Sequence, residues 1–263
     1  MLNSPARPRG LFGGAPRLTR NVAPGIHRIE HAYVNCYLVE EGGGVTIVDT
    51  AFPSTWRHLR TALAAIDRSP GDVRAVVLTH AHFDHMGFAA SAATECGVPV
   101  FVHPGDRPLA ANPYSYRRER SPLLYPLLYP RGVPAIMAMA AAGAFWVPGL
   151  RTVQELPGDG TAPVPGAPHV IYTPGHTFGH CALHFPDRDT LITGDALVTL
   201  DPYKGERGAQ IVAGAATADS RLATQSLDAL AKTDATIVLP GHGEPWRRGI
   251  RGAVAAARAV GPT

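Results

Sequence analysis

The run Thr79-His80-Ala81-His82-Phe83-Asp84-His85-Met86-Gly87 constrains this chain more than any other part of it. It follows directly on Ala75-Val76-Val77-Leu78, an apolar run that reads as a buried strand. Three imidazoles and a carboxylate therefore crowd one strand end. His80 and His82, two apart in an extended turn, can point at one ion. Asp84 and His85 read as the opening of a helix that runs to Cys96, and they can point at a neighbouring ion. Imidazole with carboxylate is a donor set for zinc, iron or manganese.

Three later segments share one local grammar: a β-rich run, one or two small residues, then a potential ligand. They are Ile171-Tyr172-Thr173-Pro174-Gly175-His176, Leu191-Ile192-Thr193-Gly194-Asp195 and Ile237-Val238-Leu239-Pro240-Gly241-His242. The glycines let the backbone turn tightly, so that each ligand hangs over a strand end. Sites in layered α/β folds collect at such ends. A single histidine is ordinarily a packing or surface residue, and His27, His31, His58, His169 and His184 are read that way. His103, after a strand, is also more readily explained so. His80, His82, Asp84, His85, His176, Asp195 and His242 differ because they arrive as a set. Asp49, ending a strand in Val-Asp-Thr, is read as a carboxylate that supports ligands, and His180 is open to the same role.

The 263 residues, 45% hydrophobic and 17% charged, suffice for one well-packed domain. A net charge of +3 neither demands nor excludes an anionic partner. Cys36, Cys96 and Cys181 form no CxxC pair and read as reduced thiols of a cytoplasmic protein. No apolar run reaches the roughly 18 residues of a membrane helix. Residues 1–24, rich in Pro, Gly and Arg, read as an N-terminal extension and not as a secretory signal. Residues 25–263 then make the domain.

Strand patterns lie at 26–30, 35–40, 45–49, 98–102, 151–156, 169–173, 182–185, 190–193 and 236–239. Helical patterns lie at 217–232 and 249–260, and another after Pro53 carries Trp56, Leu59, Leu63 and Ile66 on one face. The arrangement this supports is α/β, two sheets between helices. Residues 104–150 break the pattern with many prolines and tyrosines and then an Ala/Met-rich stretch. They read as an inserted, proline-broken lid or a dimer arm. Its Leu123, Leu124, Tyr125, Leu127, Leu128, Tyr129, Met137 and Met139 are candidates to line an apolar pocket. The mixture of aromatics and arginines at 114–120 reads as a solvated lid face, too short for a nucleic-acid footprint.

With the HxHxDH run, the later histidine, the aspartate and the final histidine in this order, the chain resembles the metallo-β-lactamase-fold superfamily over roughly residues 26 to 245. The resemblance implies an αββα sandwich of two mixed sheets flanked by helices, with the site at one edge. It implies two divalent ions, zinc first, with iron or manganese as alternatives. His80, His82 and His176 would hold one ion, Asp84, His85 and His242 the other, and Asp195 would bridge them. A hydroxide held between two such ions attacks a carbonyl or phosphorus centre, and Asp84 would orient it and pass a proton to the leaving group.

The same resemblance narrows the reaction. An aspartate stands where the best-known β-lactamases usually present cysteine or serine, which points to the branch of glyoxalase II-like thioesterases, lactonases and related esterases. The few residues past His242 leave no helical glutathione-binding domain expected. Some lactonases carry a tyrosine three residues after the bridging aspartate; here Val198 stands there, and Tyr203 replaces it only if its loop folds back. The expectation is hydrolysis of a small ester, lactone or thioester. The alternatives are a phosphodiesterase or nuclease, a mononuclear iron persulfide dioxygenase-like oxidoreductase, and a metal-stabilised interaction protein. Neither nucleic acid nor membrane is expected as a partner, while a homodimer is open.

Overall fold

The computed structural model describes residues 14–262. One sheet holds β1 (Arg17–Ala23), β2 (Ile26–His31), β3 (Val34–Glu41), β4 (Gly44–Val48), β5 (Val73–Val77), β6 (Val100–Val102) and β7 (Gln154–Glu155), side by side in chain order. The first four run antiparallel and the last four parallel, β4 being shared. Parallel neighbours need crossovers, and α1 (Trp56–Ala64) and α2 (Ala89–Glu95) lie in the first two of them. The remaining strands are β8 (Asp159–Thr161), β9 (His169–Tyr172), β10 (Cys181–Phe185), β11 (Thr190–Gly194), β12 (Val198–Asp201), β13 (Glu206–Gln210) and β14 (Ile237–Pro240). Five form the second sheet in the order β14-β11-β10-β9-β8, while β12 and β13 pair as a separate ribbon.

Side-chain alternation sorts these strands into layers. On β3, Val34, Cys36 and Leu38 join the outer core that also takes Leu59 and Leu63 of α1 and Ala89 and Ala92 of α2. Tyr37 and Val39 of the same strand point the other way, onto Val170, Leu183, Ile192 and Leu239 of the second sheet. The far face of that sheet is covered by α6 (Ser220–Ala231) and α7 (Ile250–Val260), with Leu191 and Val238 packed on Leu227, Leu230, Ile250 and Val254. The architecture is α/β, an αββα sandwich of two mixed sheets. Among the described residues no helix is long and apolar enough to cross a membrane.

Three sequence expectations shift. The extension read over 1–24 ends sooner, because Arg17–Ala23 is an edge strand; Val22 and Ala23 bury between the sheets and Leu18 packs on the outer core. Residues 1–13 of that reading lie outside the described residues. The helix expected from Asp84 starts only at Ala89. Residues 82–88 instead fold onto the segment after β4: Thr50 N–H donates to His85 O at 2.7 Å and Gly87 N–H to Ala51 O at 2.9 Å. Contact is so close that a Cβ on Gly87 would stand 2.1 Å from that carbonyl oxygen.

The third shift concerns the insertion. It folds as α3 (Arg107–Ala111), α4 (Tyr125–Leu128) and α5 (Val133–Ala141). Ala138 and Met139 of α5 enter the outer core, so this part is structural. Pro122, Pro126 and Pro130 divide the middle into single turns. Tyr125 turns inward onto Ala213 and Ala215. The neighbouring leucines consequently face out: Leu123 and Leu127 are 82% exposed, Leu124 57% and Leu128 66%, and none of them lines the cavity beside the candidate ligands.

Leu183 is fully buried between the sheets. Leu183→Ala is expected to lower unfolding stability by about 2–5 kcal/mol, through lost burial and the cavity left behind. Urea titration checks this, and a loss under about 1 kcal/mol would contradict an inter-sheet core at that position.

Candidate metal centre

All seven candidate ligands sit on loops that leave strands at one edge of the sandwich. The loop after β5 carries His80, His82, Asp84 and His85, while those after β9, β11 and β14 carry His176, Asp195 and His242. Three groups of donor atoms each lie within 4.8 Å of one another: His80, His82 and His176; His80, His85 and Asp195; and Asp84, His85 and His242. Asp195 stands between the outer two. Its Oδ2 is 3.4 Å from His176 Nε2 and 3.1 Å from His242 Nε2, and its Oδ1 is 3.5 Å from His85 Nε2. His242 Nε2 is also 3.5 Å from Asp84 Oδ2. Gly241 makes this approach possible, since a Cβ there would stand 2.1 Å from Asp195 Oδ1.

The orientation of the rings is set from outside the cluster. His85 Nδ1–H donates to Asp49 Oδ2 at 3.0 Å, His242 Nδ1–H to the Tyr33 carbonyl at 2.9 Å and His176 Nδ1–H to Thr217 Oγ1 at 3.3 Å. Thr79 Oγ1 donates to Asp49 Oδ2 at 2.8 Å, so it accepts from His80 Nδ1–H at 3.0 Å. In the neutral rings of His80 and His176 a proton on Nδ1 leaves Nε2 with its lone pair turned inward, and the same outer bonds would present Nε2 of His85 and His242 to an ion that displaces their second proton. Asp49 thus serves two histidines, and it also accepts from Thr79 N–H at 2.8 Å. It does so from a left-handed backbone, φ 56°, a conformation that aspartate tolerates better than most residues.

These inward atoms test whether a metal fits. Nε2 of His80, His82, His85 and His176, together with Asp195 Oδ1, are buried and have no hydrogen-bond partner. Leaving one buried polar group unpaired costs about 1–3 kcal/mol, and these five converge on one small region. Nitrogen and carboxylate donors so placed fit divalent cations of the zinc or iron kind. The electrostatics agree. Burial holds His80 and His176 well below the ordinary imidazole range and His82 at about 4, so all three are neutral donors at pH 7. Burial opposes charge on Asp195, yet His242 and His85 hold its carboxyl well below the usual range. Burial likewise opposes charge on His242, but Asp195 and Asp84 lift it to about 10. The pair of carboxylates therefore draws positive charge into the cluster.

His180 is in the cluster's surroundings and is not a donor to it. Its Nε2 accepts from Asp195 N–H at 3.0 Å, and its Nδ1–H donates to Thr173 Oγ1 at 2.8 Å. His103 stacks on Tyr172 with centroids 4.6 Å apart, apart from the ligands. Sequence reading missed Asp106. This buried carboxylate accepts from Ala81 N–H at 3.0 Å, Thr177 Oγ1–H at 2.7 Å and Gly179 N–H at 2.8 Å. It ties two ligand loops to the start of the insertion, and its Pro-Gly-Asp context resembles an ordinary turn. Tyr116 was also missed as an individual residue. Its ring lies 4.6 Å from His82. Asp201 holds the β12–β13 loop back by accepting from the N–H groups of Tyr203, Lys204 and Ala213. Tyr203 consequently packs on Val198 and stands within electrostatic reach of Tyr116 and Asp84; burial and those neighbours raise its phenol well above the usual range. Beside the cluster lies a cavity of about 130 Å³ whose walls include His82, His176, Asp106, Ser115, Tyr116 and Phe178.

Fold and site together define a metallo-hydrolase, and the comparisons agree. The family model of the metallo-beta-lactamase superfamily matches residues 30–242, and the chain belongs to that superfamily. It is 27% identical over 241 residues to a probable metallo-hydrolase, YflN, of Bacillus subtilis, with 85% of each chain covered. It is 31% identical over 219 residues to the uncharacterized protein Rv2581c of Mycobacterium tuberculosis, covering 80% of this chain and 85% of that one. Among solved structures, TTHA1623 in a di-iron-bound form is 27% identical at a TM-score of 0.60, covering 83% of this chain and 92% of that one. The mono-zinc form of the metallo-β-lactamase FIM-1 from Pseudomonas aeruginosa, 16% identical at a TM-score of 0.64, covers 94% of this chain and 96% of that one and shares the fold.

Asp49 bonds the His85 ring directly, reaches the His80 ring through Thr79 Oγ1, and meets neither ring at its inward nitrogen. Asp49→Ala is expected to weaken metal retention about 10–100-fold while leaving the far-ultraviolet circular dichroism intact. Competition with a graded series of chelators measures it; unchanged retention would show that the Asp49 contacts do not orient the ligands.

Proposed function

We infer that this enzyme is a dinuclear metal-dependent hydrolase of a small ester, lactone or thioester. The observation that carries the reading is Asp195, a single buried carboxylate set between two groups of inward-facing donors. His80, His82 and His176 would hold one ion, and Asp84, His85 and His242 the other, with Asp195 shared. When bound, such ions supply Lewis-acid polarisation of the scissile group and water activation at neutral pH.

The chain's own residues do the rest. Asp84 is the most accessible of the seven, 8% exposed where the others are 0–3%, so its carboxylate is the one least enclosed by protein. It is placed to orient the nucleophile and to carry a proton to the departing oxygen or sulfur. Tyr116 and Tyr203, beside Asp84, are held as neutral phenols by burial; Tyr203 donates to Tyr116, which leaves the Tyr116 hydroxyl as the donor to substrate oxygen. The cavity is small against the ~300–1,000 Å³ of typical ligand pockets, which favours a compact acyl group over a polymer strand. Residues of the 104–150 insertion wall that cavity, which supports reading the insertion as a lid that selects substrate.

Zinc is the metal this reading expects first. The di-iron form of TTHA1623 gives iron a specific claim, so elemental analysis of purified protein is the first measurement, with up to two ions per chain expected. A panel of p-nitrophenyl esters, lactones, thioesters, bis-p-nitrophenyl phosphate and glutathione persulfide on metal-replete protein then tests the reaction class. Turnover of the phosphodiester or the persulfide, with none of the carboxylic esters, would overturn the reading. Asp84→Asn should lower ester hydrolysis by a factor of about 10² or more, with the fold retained. Wild-type turnover in that variant would remove Asp84 from the chemistry.

A further inference from the structure

The cavity beside the cluster has an uneven charge. Its walls are His82 and His176 at the inner end, Leu109, Pro108 and Phe178 as apolar sides, and Ser115, Tyr116 and Arg117 from the insertion. Arg117 is the one cationic side chain among the lining residues. Its guanidinium carbon stands 5.7 Å from the Phe178 ring centroid, a cation–π contact that steers the head toward the cavity wall and leaves its N–H donors unspent. No hydrogen bond or ion pair to a carboxylate engages it among the described residues. The carboxylates nearby are committed elsewhere. Asp106, the one acid in the lining, is buried and saturated by Ala81, Thr177 and Gly179. Glu119, two residues on, accepts from Ser220 N–H at 2.7 Å and from Ser220 Oγ–H at 2.6 Å. Asp84 and Asp195 face the donor cluster. A planar, five-donor cation without an acid partner, at the wall of a small pocket that opens on the reacting end, matches the geometry of an oxyanion.

We propose that Arg117 is a specificity-determining residue that binds a carboxylate or phosphate on the substrate, so that the natural substrate is an anionic acyl compound. This rests on the hydrolase reading above and names its substrate class. The acyl chain lies along Leu109 and Phe178, the oxyanion meets Arg117, and the scissile group is directed to His82 and His176.

The test uses non-hydrolysable anilides, so that it does not depend on turnover. Calorimetry measures the affinity of the metal-replete protein for succinic acid monoanilide, for the matched phosphonate and for the neutral butyric anilide. At least one anion is expected to bind about tenfold or more tightly than the neutral compound, and which one separates carboxylate from phosphate chemistry. Arg117→Gln should bring the ratio to near one, Arg117→Lys should leave part of it because the charge stays while the fork is lost, and Arg151→Gln should keep it. Equal affinity for all three compounds in the wild type overturns the proposal, as does a preference that survives in Arg117→Gln. A companion assay with p-nitrophenyl hemisuccinate and p-nitrophenyl butyrate separates the two readings. Anion-selective binding without turnover of either ester leaves the Arg117 assignment standing and removes the esterase reading; turnover without anion selectivity does the reverse.

Discussion

Five buried polar atoms that face one another with no partner of their own are the constraint on which this structure depends. Placing histidine and aspartate side chains out of water is costly unless each is paired. The chain meets that cost on the outer side of each ring, where Asp49, Thr79, Thr217 and the Tyr33 carbonyl take the Nδ1 protons. The inner side is left to a cation. Much of the molecule near the edge follows from this division, including the left-handed turn at Asp49 and the side-chain-free approach at Gly241.

The sandwich makes that arrangement rigid. Each ligand loop leaves a strand whose alternate residues are locked into two different cores, so a shift of one loop would disturb packing on both faces of a sheet. Cross-links between the halves then fix the relative position of the edges. Asn35 Nδ2–H donates to the carbonyls of Pro240 and Gly243 at 2.9 and 2.8 Å, and the Tyr37 hydroxyl donates to the Pro240 carbonyl at 2.7 Å. These bonds tie β3 of the first sheet to the His242 loop of the second. Asp106 does the same between the HxHxDH loop and the His176 loop, and because it opens the insertion, the pocket wall is anchored to the ligands themselves.

The insertion shows how one segment divides its duties. Met139 and Ala138 are core, Tyr125 braces the loop that carries Tyr203, and Tyr116 and Arg117 face the cavity. The sequence pattern suited a single apolar lid. Prolines at 122, 126 and 130 prevent any continuous helix, and without one there is no common face on which the leucines could gather.

The sequence by itself singled out the seven candidate ligands that the fold brings together, the layered α/β architecture and most of the strands, because each is written locally. Apolar alternation marks a strand, and a glycine followed by a ligand marks where it ends. Asp49 was legible too, as a carboxylate closing a strand. Only the tertiary structure decided that Asp106 joins two ligand loops, that His180 holds the Asp195 backbone, that Tyr203 folds back toward Asp84, and that Arg117 and not the leucines faces the pocket. The helix expected at Asp84 failed for the same kind of reason, since residues 82–88 bond to Thr50 and Ala51 across the sheet edge. The physical difference is range. Periodicity and turn chemistry act between neighbours in the chain, whereas these roles are set by hydrogen bonds and ring contacts between segments tens of residues apart, and no local pattern encodes which buried group will find which partner.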